Sequence, residues 1–191
     1  MESTKIETMK KVAFVFLIPL LVACGPTKKE IAQEAPRPDQ NAKVINIPES
    51  CLASKALLAV KEEITGATFI DTKWTPAPGT ELADVLNNGG LACSYGLQSA
   101  EIGATIRWVE DSKGNFEKWS TQWLNQGYTE VDLTKFGALK GYFLMKPQSA
   151  TQEFSIWNLN FKLGGVWVSI SRTSGTTLDA GSGLIKAVLA Q

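Results

Sequence analysis

The side chains able to do covalent or acid–base chemistry are three cysteines, Cys24, Cys51 and Cys93, and a set of carboxylates, in a chain that contains no histidine. Without an imidazole there is no Ser-His-Asp triad, no His-ligated metal and no base to activate a catalytic thiol. A Ser-x-x-Lys nucleophile is also absent. Gly181-Ser182-Gly183 has the outline of a phosphate loop or nucleophile elbow, but it lacks the wider glycine spacing and the lysine, and reads as a glycine-eased helix start. Glu62-Glu63 and Glu110-Asp111 are adjacent pairs. Sequence neighbours do not face each other, so these read as solvated charge rather than as the paired carboxylates of a hydrolase. The turn from Asp111 to Asn115 is too short for a calcium loop. No catalytic residue, metal or cofactor is expected.

Cys24 is the most informative of the three thiols. Lys10 and Lys11 lead into an apolar stretch, residues 12–23, that ends in Leu21-Val22-Ala23-Cys24 with Gly25 behind it. At roughly 12 residues, interrupted by Pro19, the stretch is too short to span a bilayer, which takes ~20, and reads as the apolar part of an export signal. The terminal four residues resemble the bacterial lipobox, whose cysteine sulfur takes a diacylglyceryl group before the signal is cut away. Residues 1–23 are thus expected to be a lipoprotein signal peptide. The alternative is a free thiol at the end of a leader. Two or more acyl chains on Cys24 would make attachment to a lipid membrane stable, since each buried methylene contributes ~0.8 kcal/mol. Met9-Lys10-Lys11 is a second compact start, so translation is expected from Met1 or Met9.

The expected location is therefore the extracytoplasmic face of a cell membrane, lipid-anchored. Residues 24–43 are polar, carry Pro26, Pro36 and Pro38, and read as a lipidated N-terminus followed by a flexible stalk. Residues 44–191 have the size and apolar content of a single domain. Lys and Arg total 19 against 19 for Asp and Glu. With no basic block after the leader, no nucleic acid is expected as a partner.

In an exported protein the two remaining cysteines, Cys51 and Cys93, are expected to pair. A loop of ~40 residues closed this way would gain about 4 kcal/mol. The alternative is two buried thiols; the spacing excludes a Cys-x-x-Cys redox site.

These residues must be positioned by elements that periodicity suggests. Leu52, Ala56, Leu57, Val60 and Ile64 predict a helix over 49–65, with Cys51 in its first turn. A strand over 67–71 and a short helix over 80–86 follow. Leu91, Cys93, Tyr95 and Leu97, then Ile102, Ala104, Ile106 and Trp108, alternate as two strands. Phe116, Trp119, Gln122, Trp123 and Leu124 fall at helical spacing before Gly127. Residues 141–146 form a strand, and 154–161 pairs with 166–171 through Gly164-Gly165. A helix over 181–189 closes the chain. The fold class expected is α+β, an antiparallel sheet of about five to six strands with helices packed on it and one disulfide.

Six tryptophans remain. Trp108, Trp119, Trp123 and Trp157 stand at positions where periodicity predicts burial. Alternation puts Trp167 on a polar face with Asn158, Asn160, Ser169 and Ser171, a ligand or partner face unless a helix covers it. Trp74, before Pro76 and Pro78, is the other candidate for exposure.

The early cysteine, the phrase Gly89-Gly90-Leu91-Ala92-Cys93-Ser94-Tyr95, the strand ending Ile106-Arg107-Trp108-Val109, the helix ending Gln126-Gly127-Tyr128 and the final helix are similar to secreted actinobacterial lipoproteins of unknown function. Some of those look like a PsbP-like α+β sandwich. The resemblance runs from about Ile47 to the end and implies no reaction, since that family has no catalytic residues to carry over. The reading favoured is a non-enzymatic, membrane-anchored cell-envelope lipoprotein whose domain binds an envelope partner protein or a small ligand. The alternatives are a structural or accessory envelope protein without a small ligand and, resting only on carboxylates and tryptophans, an enzyme acting on cell-wall glycan.

Overall fold

The computed structural model describes residues 44–138, 140–151 and 153–191. The expected signal peptide, Cys24 and the expected stalk, residues 1–43, lie outside the described residues. The elements run α1 (Ala56–Glu63), β1 (Thr68–Ile70), α2 (Glu81–Asn87), β2 (Leu91–Leu97), β3 (Ile102–Glu110), α3 (Asn115–Asn125), β4 (Thr129–Asp132), β5 (Lys140–Lys146), β6 (Ile156–Leu163), β7 (Val166–Arg172) and α4 (Ser182–Leu189). The strands make one antiparallel sheet in the order β1-β2-β3-β7-β6-β5-β4.

The α+β class is as expected, but the sheet has seven strands rather than five to six. The added strand is β4, an edge strand reading Thr-Glu-Val-Asp, whose only apolar residue, Val131, pairs with Gly141. One apolar position in four carries no period-two signal, and charged residues are what an edge strand uses to discourage further pairing.

Alternation on the central strands sorts the side chains by face. Ile106 and Trp108 of β3, Val168 and Ile170 of β7, and Trp157, Leu159 and Phe161 of β6 all join one core with Leu57 and Val60 of α1 and Leu184, Ile185 and Val188 of α4. The hairpin register is the one the two glycines predict, with Phe161 opposite Val168 and Leu159 opposite Ile170. Gly164 and Gly165 have φ of 58° and 82°, the left-handed pair that a two-residue turn matching strand twist demands.

Helix α1 starts later than periodicity suggests. Residues 51–53 form a turn, not the first turn of a helix, and Leu52 is 68% exposed. Cys51 is bonded to Cys93 on β2, and its carbonyl accepts from the Tyr95 hydroxyl at 2.8 Å, so this segment is tied to the sheet. The Ser54 hydroxyl then takes the Ala56 N–H at 3.2 Å, next to the helix start. Gly181 serves packing rather than anion binding: a Cβ there would lie 2.4 Å from Cζ2 of Trp157.

One carboxylate expected to be solvated is buried, and another is exposed as expected but paired. Asp111 is buried, pairs with Lys162 at 2.6 Å, and accepts from the Phe116 N–H at 3.2 Å in the first turn of α3. Glu63 meets Arg172 at 2.5 Å. In both cases a long-range cation satisfies the acid, which sequence adjacency does not reveal.

Replacing Cys51 and Cys93 together by alanine should lower unfolding free energy by about 4 kcal/mol, the loop-closure value, in urea titrations. Burial pushes the Tyr95 phenol from 10.0 up to about 12. The native state therefore holds a proton that the unfolded chain releases, giving a contribution complete below pH 10 and lost as pH rises through about 12. The urea midpoint should fall across that window, and Tyr95→Phe should flatten the fall.

Candidate ligand cleft

The second face of the sheet is apolar only at one end. There Val109 of β3, Trp167 of β7 and Tyr142 of β5 meet Val85 of α2 and Phe116, Trp119 and Trp123 of α3 in a second cluster. Phe116 and Trp123 lie with ring centroids 6.4 Å and 5.6 Å from Trp167. Helix α3 thus covers the face proposed for ligands, and Trp167 is 1% exposed. Its indole N–H reaches the Asn160 Oδ1 at 3.4 Å, and Asn160 and Ser169 are buried too. Trp167, Asn160 and Ser169 have no surface to offer and act as core. Trp108, Trp119, Trp123 and Trp157 are buried as periodicity predicts. Trp74 is half-buried and donates to the Ala92 carbonyl at 3.0 Å, filling part of the β2 edge that the short β1 leaves unpaired. Of the residues expected on that polar face, Asn158 and Ser171 line a cleft.

That cleft opens where the helix cover stops. Its volume is about 460 Å³, and its walls are the start of α2 at Thr80 and Glu81, Trp119 and Gln122 of α3, Tyr128, and the strand residues Arg107, Asn158 and Ser171. Ser171 also belongs to an adjoining hollow of about 390 Å³, lined by Ser94, Thr105 and Thr173 on the same polar face.

Arg107 forms the floor. Its Nη2 donates to Ser169 Oγ at 2.8 Å and lies 3.7 Å from Glu81 Oε2, and both charged side chains are 18% exposed. The other oxygen of Glu81 accepts from the Trp123 indole N–H at 2.7 Å. Burial lowers the Arg107 pKa, opposed by the charge of Glu81, while burial and then the Glu81 carboxylate raise that of Tyr128. Arginine keeps its charge and tyrosine its proton at neutral pH, so Arg107 and Glu81 cancel. Behind the Trp119 wall, Asp84 is held below its usual range by hydrogen bonding to Lys118, with Lys118 Nζ and Trp119 Nε1 each at 2.8 Å. Two atoms of residues lining the cleft are themselves buried without a partner: the Arg107 Nε donor and the Asn158 Oδ1 acceptor.

Arg107, Tyr128, Glu81 and Gln122 were not legible as a site. Alternation places Arg107 opposite the core face of β3, but only the β3-β7-β6 order brings it near Asn158.

Among the described residues, no group of three or more Cys, Asp or Glu side chains could hold a metal ion, and no helix is long and apolar enough to cross a membrane. Comparison with protein families, curated proteins and solved structures finds no match.

Trp167→Ala should cost about 3–5 kcal/mol, as for other large core aromatics, whereas Asn158→Ala, whose Oδ1 has no partner, should change stability by less than about 1 kcal/mol. Thermal and urea unfolding of the two variants checks the contrast.

Proposed function

We propose that this chain is a bacterial cell-envelope lipoprotein, held on the extracytoplasmic face of a membrane through acylated Cys24, whose domain binds a small ligand or a partner protein in the Arg107 cleft without catalysing a reaction. It is of the secreted two-cysteine kind that the sequence resembles. The observation that carries the binding reading is the cleft itself: an open hollow lined by a half-buried arginine, where the helix cover of this face of the sheet stops. A non-catalytic role is favoured by Glu81. Among the described residues it is the one carboxylate lining the cleft, and its oxygens face Trp123 and Arg107. Glycoside hydrolysis needs a second carboxyl across the bond to be broken. The Cys51–Cys93 bond suits an oxidising, extracytoplasmic compartment.

Cell fractionation tests the anchor: the native chain should sediment with membranes and Cys24→Ala should appear in the soluble fraction. Continued membrane attachment of that variant would contradict the lipid anchor. Native mass spectrometry of the protein gently released from its envelope should show a discrete added mass, and a bare protein would count against bound ligand.

A further inference from the structure

The two broad faces of the domain differ in charge and in exposed apolar side chains. α1 and α4 run antiparallel over one face. Lys55, just ahead of α1, donates its backbone N–H to Gln191 Oε1 at 3.1 Å and its ammonium to the Ala190 carbonyl, beyond the end of α4. At the other end of α1, Glu63 Oε1 lies 3.7 Å from where a Cβ on Gly183 would stand. On the solvent side of this pair Leu58 is 62% exposed, with Lys61 one turn further on and Lys186 exposed on α4. Among the described residues neither lysine has a carboxylate partner, while Glu63 is paired with Arg172 and Glu62 is the remaining acid of the two helices. Leu52, exposed in the turn before α1, lies on the same side, because Cys51 next to it is bonded to Cys93 in the core beneath these helices. The opposite face is acidic: α2 and α3 carry Glu81, Asp84 and Glu117 against Lys118. Leu124 is exposed there, but no lysine stands three or four residues from it.

Beside α4 is a hollow of about 320 Å³ lined by Lys135, Phe136, Gly137, Lys186 and Leu189. Asp179 matches Lys135, so Lys186 supplies the free charge, next to an apolar floor of Phe136 and Leu189. An unpaired ammonium above apolar side chains suits an amphiphile with an anionic head. Leucines projecting among unpaired lysines suit a layer of such molecules. The chain also brings that layer within reach. Ile45 is buried in the core beneath α1 and α4, so the chain enters the domain on their side of the sheet, through exposed Val44. Cys24 lies twenty residues before Val44, a covalent tether of at most about 70 Å.

Resting on the lipid-anchor reading above, we infer that the outer face of α1 and α4 lies on the membrane that holds Cys24, with Leu52 and Leu58 in its apolar boundary and Lys61 and Lys186 against anionic phospholipid headgroups. The Arg107 cleft is on the other face of the sheet and so opens away from the membrane.

The test uses the full chain, purified from bacterial membranes in detergent and reconstituted into vesicles of equal parts phosphatidylcholine and phosphatidylglycerol, or of phosphatidylcholine alone. With Cys24 acylated and Cys51 bonded to Cys93, Leu58→Cys or, on the opposite face, Glu117→Cys adds the single free thiol for an environment-sensitive dye. In phosphatidylglycerol vesicles the Leu58→Cys label should shift to shorter wavelength and be quenched by spin-labelled lipid, and the Glu117→Cys label should do neither. Adding Lys61→Ala and Lys186→Ala should lower the ratio of docked to undocked Leu58→Cys label about tenfold or more, the loss expected of two lysines at an anionic surface. Phosphatidylcholine alone should weaken docking in the same way, and circular dichroism establishes that each variant is folded. A Leu58→Cys response no greater than that of Glu117→Cys, in protein that floats with the vesicles, would overturn the docking and leave the anchor. A Leu58→Cys label shielded without lipid quenching, in protein of doubled mass, would give the face to a second copy instead. Dye uptake by the unsubstituted chain, or failure to float with the vesicles, would remove the anchor and the docking together.

Discussion

The structure depends on the alternation of side chains along β3, β7 and β6, the three strands at the centre of the sheet. One set of alternate positions, from Ile106 and Trp108 through Val168 and Ile170 to Leu159 and Phe161, is apolar along its length and is covered by α1 and α4. The other set begins apolar at Val109 and Trp167 and turns polar at Arg107, Ser169, Ser171 and Asn158. Burial of apolar area drives helices onto a sheet at about 25 cal/mol per Å². Cover is therefore expected over Trp167 and little is to be gained by extending it over Ser171. The cleft lies at that boundary.

What holds the partial cover in place is polar. The indole N–H groups of Trp119 and Trp123 on α3 donate to Asp84 and Glu81 on α2, so the two short helices are joined by charge-assisted hydrogen bonds above the aromatic cluster. Glu81 has a second role, because its other oxygen faces Arg107. The same carboxylate that locks α3 to α2 neutralises the cleft floor. Packing of the cover and electrostatics of the cleft are thereby linked through one residue.

Much of this is legible in the sequence. The alternation in β2 and β3 and the Gly164-Gly165 turn point to the correct faces, and two cysteines in a chain expected to be exported point to the disulfide. The limits have physical causes. Helical periodicity at Leu52 and Ala56 cannot report that Cys51 is tied to β2 by a disulfide and a tyrosine hydrogen bond, which starts α1 later. β4 pairs one valine against a glycine and so gives no pattern. Trp167 sits on the polar-patterned face, and whether it meets solvent depends on α3, an element over forty residues earlier in the chain. The cleft was hidden for the same reason. Arg107 and Asn158 become neighbours only through a strand order that one sequence does not disclose.

The central claim is that the boundary between covered and uncovered sheet is a binding site occupied in the envelope. Oxidative footprinting of the protein in intact cells, compared with the purified protein in buffer, tests this most directly. Occupancy predicts that Tyr128, half-buried at the cleft wall, is labelled in the purified protein and protected in the cells, while Trp123 and Trp167 stay unlabelled in both. Equal labelling of Tyr128 in the two preparations would contradict occupancy, and labelling of Trp167 to the level of Tyr128 would contradict the cover itself.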